Sequence, residues 1–128
     1  MKAQVNGIHL NYTVTGDGPW VVMSHSLACD LSMWDAQVAM LAKNFRVLCF
    51  DTRGHGQSEK LYEPEAYHAN LMATDIRNLL NHLNIQSADM MGYSMGARIT
   101  AHFNLLFPER IRATLLGGLG IHLVEGVG

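Results

Sequence analysis

The chain has 128 residues, of which 48% are hydrophobic and 16% charged, and its formal net charge is −2. That length supports one domain burying roughly 65% of its unfolded surface. The charge balance excludes a charge-driven nucleic-acid or anionic-membrane binder, because Arg53, Arg98, Arg110 and Arg112 are scattered and form no basic tract.

Two cysteines, Cys29 and Cys49, fall in or near apolar runs and read as free thiols of an intracellular chain. Met1-Lys2-Ala3-Gln4 enters a strand directly, so no leader peptide is expected. No apolar run approaches the roughly 20 residues of a membrane span. The expected location is the cytoplasm.

Residues 3–15 read as a hairpin: Asn6-Gly7 is a strong two-residue turn signal, and His9 to Val14 alternates as a half-buried strand with His9 exposed. Gly16-Asp17-Gly18-Pro19 is a turn. Trp20-Val21-Val22-Met23 is a short continuous apolar run, the pattern of a strand buried on both faces. It opens into Ser24-His25-Ser26-Leu27-Ala28-Cys29-Asp30, at a strand's carboxyl end, where α/β sheets place their sites. Asp30 or Ser32 is placed to cap a helix carrying Met33, Trp34, Val38 and Leu41. Arg46 to Phe50 is the next buried strand, followed by the loop Asp51-Thr52-Arg53-Gly54-His55-Gly56-Gln57-Ser58.

Glu63-Pro64-Glu65 opens a helix whose apolar stripe, Met72, Ile76, Leu79, Leu80 and Leu83, packs on a sheet, leaving His68 and His82 at the surface. Ile85 to Asp89 leads into a further strand; Pro108 ends the next helix; Arg112 to Leu116 reads as one more buried strand. Strands alternating with helices predict a mainly parallel α/β sheet. There is no repeat, linker or low-complexity tract.

The most informative stretch is Met90-Met91-Gly92-Tyr93-Ser94-Met95-Gly96, a G-x-S-x-G pattern between a strand and a helix bearing Ile99, Ala101, Phe103, Leu106 and Phe107. A strand–turn–helix context is what a nucleophile elbow requires. Gly92 and Gly96 are read as positions where a Cβ would clash as the helix doubles back on the strand. The serine then stands clear of the sheet at the positive end of the helix, where the Met95 N–H is one oxyanion donor. The bland alternative is a Gly/Ser turn between two core elements.

Taken together, the hairpin, the His25-Ser26-Leu27 loop, the Asp51-x-Arg53-Gly54-x-Gly56-x-Ser58 loop, the Gly92-x-Ser94-x-Gly96 elbow and the Phe107-Pro108-Glu109-Arg110 ending resemble the N-terminal half of an α/β-hydrolase-fold enzyme. The resemblance covers essentially the whole chain as one part of a single core domain without cap or C-terminal strands, and looks closest to 3-oxoadipate enol-lactonase-like hydrolases and small carboxylesterases. It implies Ser94 as nucleophile, Leu27 and Met95 as oxyanion-hole N–H donors, and His25 and Arg53 as residues that brace the site. Ser26 stands where many relatives have glycine, a change expected to alter backbone freedom at Leu27; Ala97 also replaces a common glycine. Ser94 sets the chain apart from relatives that use aspartate there, the haloalkane dehalogenases and epoxide hydrolases.

The triad order of this fold is Ser, acid, His, so both partners belong after Ser94. Thirty-four residues follow it, containing Glu109, Glu125, His102 and His122. His102 lies two helical turns on and should not return to the hydroxyl. His122 and Glu125 are the local candidates, in the wrong order. The expectation is therefore a front half whose acid and base ride on a C-terminal half, met as a second chain, or a half-domain that self-associates through an open strand edge. The competing functions are ester or lactone hydrolysis, acyl transfer or peracid formation on the same serine, and a non-catalytic half-domain. No His-x-x-x-His or Cys-x-x-Cys spacing occurs, and neither metal nor cofactor is expected.

Overall fold

The computed structural model describes residues 1–118; His122 and Glu125 lie outside the described residues. The elements are β1 (Lys2–Val5), β2 (Ile8–Gly16), β3 (Trp20–Ser24), α1 (Asp35–Leu41), β4 (Arg46–Phe50), α2 (Ala69–His82), β5 (Ala88–Tyr93), α3 (Met95–Leu106) and β6 (Ile111–Gly117). The six strands form one sheet in the order β1-β2-β4-β3-β5-β6. β1, β2 and β4 pair antiparallel, whereas β4, β3, β5 and β6 run parallel. The family expectation of an initial hairpin followed by a mostly parallel sheet is met.

The hairpin forms where expected. Val5 pairs with Ile8, and Asn6 and Gly7 both take positive φ, 51° and 81°, as a two-residue primed turn demands. The apolar runs of β3, β4 and β5 divide between two faces because successive side chains alternate. Val22, Leu48, Phe50 and Met90 meet α2 and α3 through Met72, Ile76, Leu79, Leu80, Ile99 and Phe103. Val21, Met23, Val47 and Cys49 meet Trp34 and the α1 residues Val38 and Leu41. Both cysteines are free, Cys29 exposed and Cys49 buried; burial pushes the Cys49 thiol up to about 12.

Three expectations change. The helix predicted from Glu63 is two pieces: a 3-10 turn over Pro64–Tyr67 and then α2, which His68 caps by accepting the Asn70 N–H at 3.2 Å through Nδ1. Asp30 caps a 3-10 turn, Leu31–Trp34, that feeds α1. β6 is not buried: it is the last strand of the sheet, and Leu115 is 62% exposed. Beside it lies an apolar groove of about 260 Å³ lined by Val21, Leu41, Phe45, Met91 and Leu115 among others. The sequence pattern of β6 resembles that of a central strand, but among the described residues no strand pairs with its outer edge. No helix among the described residues is long and apolar enough to cross a membrane.

Candidate active site

β5 ends at Tyr93, and Ser94 turns the chain into α3 with φ 56° and ψ −112°. This backbone region is sparsely populated for any residue bearing a Cβ. Serine is a favoured helix N-cap, and Ser94 occupies the N-cap position of α3, yet its hydroxyl makes no capping hydrogen bond. The side chain is thus released from the role that a structural serine would fill. Its N–H is anchored instead, donating to the Gly117 carbonyl at 2.9 Å, so the end of β6 holds the elbow from the side.

The two glycines are needed for different reasons. A Cβ on Gly92 would stand 2.5 Å from the Gly96 carbonyl oxygen, in the first turn of α3. A Cβ on Gly96 would overlap the Ser24 and His25 carbonyls at the end of β3. Gly92 therefore lets α3 fold back on its own strand, as the sequence suggests. Gly96 lets the helix press on the neighbouring strand β3, which brings the elbow against the His25-Ser26-Leu27 loop.

That loop is held by His25, which is fully buried. The Thr52 backbone N–H, 2.9 Å away, can only donate, so His25 Nε2 must be an acceptor. The proton is then on Nδ1, which donates to the Ser26 carbonyl at 2.8 Å. The ring is neutral, and burial holds its pKa below the ordinary histidine value. His25 ties the β3 loop to the β4 loop and has no free nitrogen for proton transfer. The ring of His55 packs at 5.1 Å from it.

Asp51, at the end of β4, is the second tie. Its carboxylate accepts the Leu31 N–H at 2.8 Å, the Gln57 N–H at 2.9 Å and the Asn11 side-chain amide at 3.0 Å. Gly56, at φ 51°, is required because a Cβ would overlap this carboxylate. Arg53 is buried and grips Asp75 of α2 with both ends of its fork, at 2.7 and 2.8 Å, while donating to the Ala66 carbonyl at 2.6 Å. Burial pushes the Asp75 carboxyl up; Arg53 and the Asn6 amide, 2.9 Å away, oppose this. Arg53 thus locks the β4 loop to α2.

Leu27, Ser94, Met95 and Arg98 line a depression of about 250 Å³. Leu27 is 67% exposed, and its N–H makes no backbone hydrogen bond among the described residues. Met95 opens α3, where N–H groups have no partner within the helix. Both residues line the same depression as Ser94. Ser26, in place of glycine, does not take positive φ; Ala28 does, at 62°. The backbone freedom of this loop is therefore demanded one residue beyond Leu27, and the serine for glycine change costs nothing in backbone terms.

The acid and base are not assembled among the described residues. His102 sits on the helix leaving the elbow, but its Nδ1 bonds Asn70 Oδ1 at 2.9 Å, turned toward α2. Glu109 belongs to the short turn Pro108–Arg110 at the far end of α3. Among the described residues no group of three His, Cys, Asp or Glu could hold a metal ion.

Sequence reasoning singled out Ser94, Leu27, Met95, His25, Gly92 and Gly96, and the structure brings these six together. Arg53 is committed to Asp75 and the Ala66 carbonyl. Asp75 and Asp51 were missed as ties. Asp75 had a signal, an acid beside the apolar stripe of α2, which calls for a buried cation; Ala28 had none.

The family model described as alpha/beta hydrolase fold matches residues 19–122. 3-Oxoadipate enol-lactonase 2 of Acinetobacter baylyi is 36% identical over 120 residues, which is 92% of this chain and 44% of that protein. Bifunctional epoxide hydrolase 2 of Sus scrofa is 32% identical over 84% of the chain and 20% of its own length. Among solved structures, the enol-lactonase from Burkholderia xenovorans LB400 superposes with a TM-score of 0.85 at 41% identity, covering 89% of this chain and 45% of that one. The chain therefore spans less than half the length of these relatives. With the elbow, the bracing loops and a family match over most of its length, this chain belongs to the alpha/beta hydrolase fold family.

Proposed function

We propose that the chain carries the nucleophilic half of a carboxylic ester or lactone hydrolase. The observation that supports this most is Ser94 itself: a serine in a strained conformation at a helix N-cap whose hydroxyl makes no cap. Ser94 Oγ attacks the ester carbonyl carbon and yields its proton to a histidine base. The tetrahedral oxyanion is received by the Leu27 and Met95 N–H groups and the positive end of α3. Collapse breaks the bond to the alkoxy oxygen, which takes the proton from the base; in a lactone that oxygen stays tethered to the acyl group. Water then cleaves the acyl-enzyme. Serine rather than aspartate at this position favours acyl transfer over the epoxide chemistry of the Sus scrofa relative.

The base and its acid are assigned to a C-terminal half, on the order Ser, acid, His and on the chain's 44% span of the lactonase. Without them only about 10³–10⁴-fold rate enhancement over water remains. The two free thiols, one of them exposed, favour the cytoplasm. Intact mass under denaturing conditions, paired with p-nitrophenyl acetate hydrolysis by wild type and Ser94→Ala, tests the reading. A second polypeptide and a turnover abolished by Ser94→Ala support it; equal, slow hydrolysis by both proteins refutes it for this chain alone. Product analysis with added alcohol or peroxide separates hydrolysis from acyl transfer on the same serine. A second reading, a non-catalytic half-domain that self-associates, is favoured by exposed Leu115 and the apolar groove beside β6.

A further inference from the structure

Next to the elbow, α2 and α3 leave a cleft of about 300 Å³ whose lining includes Tyr67, His68, Met72, Ile99 and His102. Met95 and Arg98 line both this cleft and the Ser94 depression. Among the described residues, one side-chain hydrogen bond joins the two helices, from His102 Nδ1 to Asn70 Oδ1 at 2.9 Å. Asn70 also meets a second histidine: its backbone N–H donates to His68 Nδ1 at 3.2 Å, the N-cap bond of α2.

Asn70 fixes the state of both rings. A backbone N–H only donates, so His68 Nδ1 carries no proton and that ring is neutral. A carbonyl oxygen only accepts, so the His102 proton is on Nδ1. His102 Nε2 is buried without a hydrogen-bond partner. Burial, then the Arg98 charge, then His68 hold the His102 pKa below the ordinary histidine value. No carboxylate compensates. No aspartate or glutamate lines the cleft, and Glu65 of the 3-10 turn before His68 is exposed outside it. Arg53, which holds Ala66 of that turn, is committed to Asp75. Arg98 is therefore the charged side chain that the two histidines share the cleft with.

We propose that His68, Asn70 and His102 form an acid-released latch: with both rings neutral it holds the first turn of α2 on α3, and a proton on His68 frees that turn and opens the cleft beside Ser94. Histidine is the side chain that ordinarily changes charge between about pH 5 and 8, and His68 is open to solvent. A solvent proton bonds to Nδ1, the ring becomes a donor at both nitrogens, and the Asn70 N–H loses its acceptor. The cationic ring then stands at the positive end of α2, which repels it, as does Arg98. Asn70 carries both bonds, so loosening its backbone loosens its hold on His102 as well. The latch does not depend on Ser94 being a nucleophile.

The test is an NMR pH titration of the full chain between pH 7.5 and 5, following the ring nitrogens of His68 and His102 and the backbone amide of Asn70. The expected result at the upper pH is a bare Nδ1 in His68 and a bare Nε2 in His102. On acidification the Asn70 amide signal should shift with the His68 midpoint. Exchange protection of the Asn70 and Met72 amides, corrected for intrinsic rate, should fall about fivefold, the worth of one N-cap. Nuclear Overhauser contacts between the His102 ring and Asn70 should weaken in step. His68→Asn, an N-cap that does not titrate, should keep the first turn and the His102 contact through the same range. An Asn70 amide unmoved through the His68 titration, the same acid-induced loss in His68→Asn, or an equal fall in protection at Val22 and Leu48 of the sheet overturns the latch.

Discussion

Replacing Ser94 by glycine should stabilise the fold relative to replacing it by alanine. Both variants remove the hydroxyl, so their difference isolates the backbone. Ser94 sits at φ 56° and ψ −112°, and the strain of such a position is on the order of 1–3 kcal/mol for a residue with a Cβ. Alanine retains that strain. Glycine removes most of it, and gives back about 0.5–1 kcal/mol through the larger entropy of its unfolded state. The net expectation is that Ser94→Gly exceeds Ser94→Ala by about 0.5–2 kcal/mol. Equilibrium urea unfolding reads this directly: with a slope of about 1–3 kcal/mol/M, the midpoint should rise by roughly 0.5 M with the slope unchanged. A Ser94→Gly midpoint at or below that of Ser94→Ala refutes the claim that the elbow stores strain. It would also remove the main physical reason for reading this serine as other than a turn residue.

Arg53→Ala should cost about 3–5 kcal/mol, because it leaves Asp75, 2% exposed, as an unpaired buried charge; thermal or urea unfolding measures it, and a loss under 1 kcal/mol contradicts the pairing. Acid should weaken the fold through His25. Its folded pKa lies below the unfolded value of about 6.5, so the unfolded state binds more protons in that window, and stability falls as pH drops from about 6.5 toward the folded pKa. Unfolding free energy measured between pH 7.5 and 5 should show this slope, reduced in His25→Gln; an identical slope in the variant assigns it to other groups. Leu115→Lys should weaken concentration-dependent self-association in sedimentation velocity, since a charge on an open edge opposes strand pairing, whereas unchanged association excludes the β6 edge as the contact.

Local chemistry was legible in the sequence wherever a few neighbouring residues suffice to dictate it. Asn6-Gly7 gives a primed turn because both positions need positive φ. Met72, Ile76, Leu79 and Leu80 recur at helical spacing because one face of α2 is buried. Gly92-x-Ser94-x-Gly96 specifies an elbow because a Cβ at either glycine meets backbone. The tertiary structure alone decided what those pieces touch. It alone pairs Arg53 with Asp75, 22 residues away, commits both nitrogens of His25, and turns His102 from the serine toward Asn70. It also exposes β6, which its apolar run marked as buried, at the open sheet edge that the sequence led one to expect, with Leu115 62% exposed. Periodicity along a chain reports that a face is to be buried; which element buries it, and which buried charges meet there, depends on contacts between residues far apart in sequence.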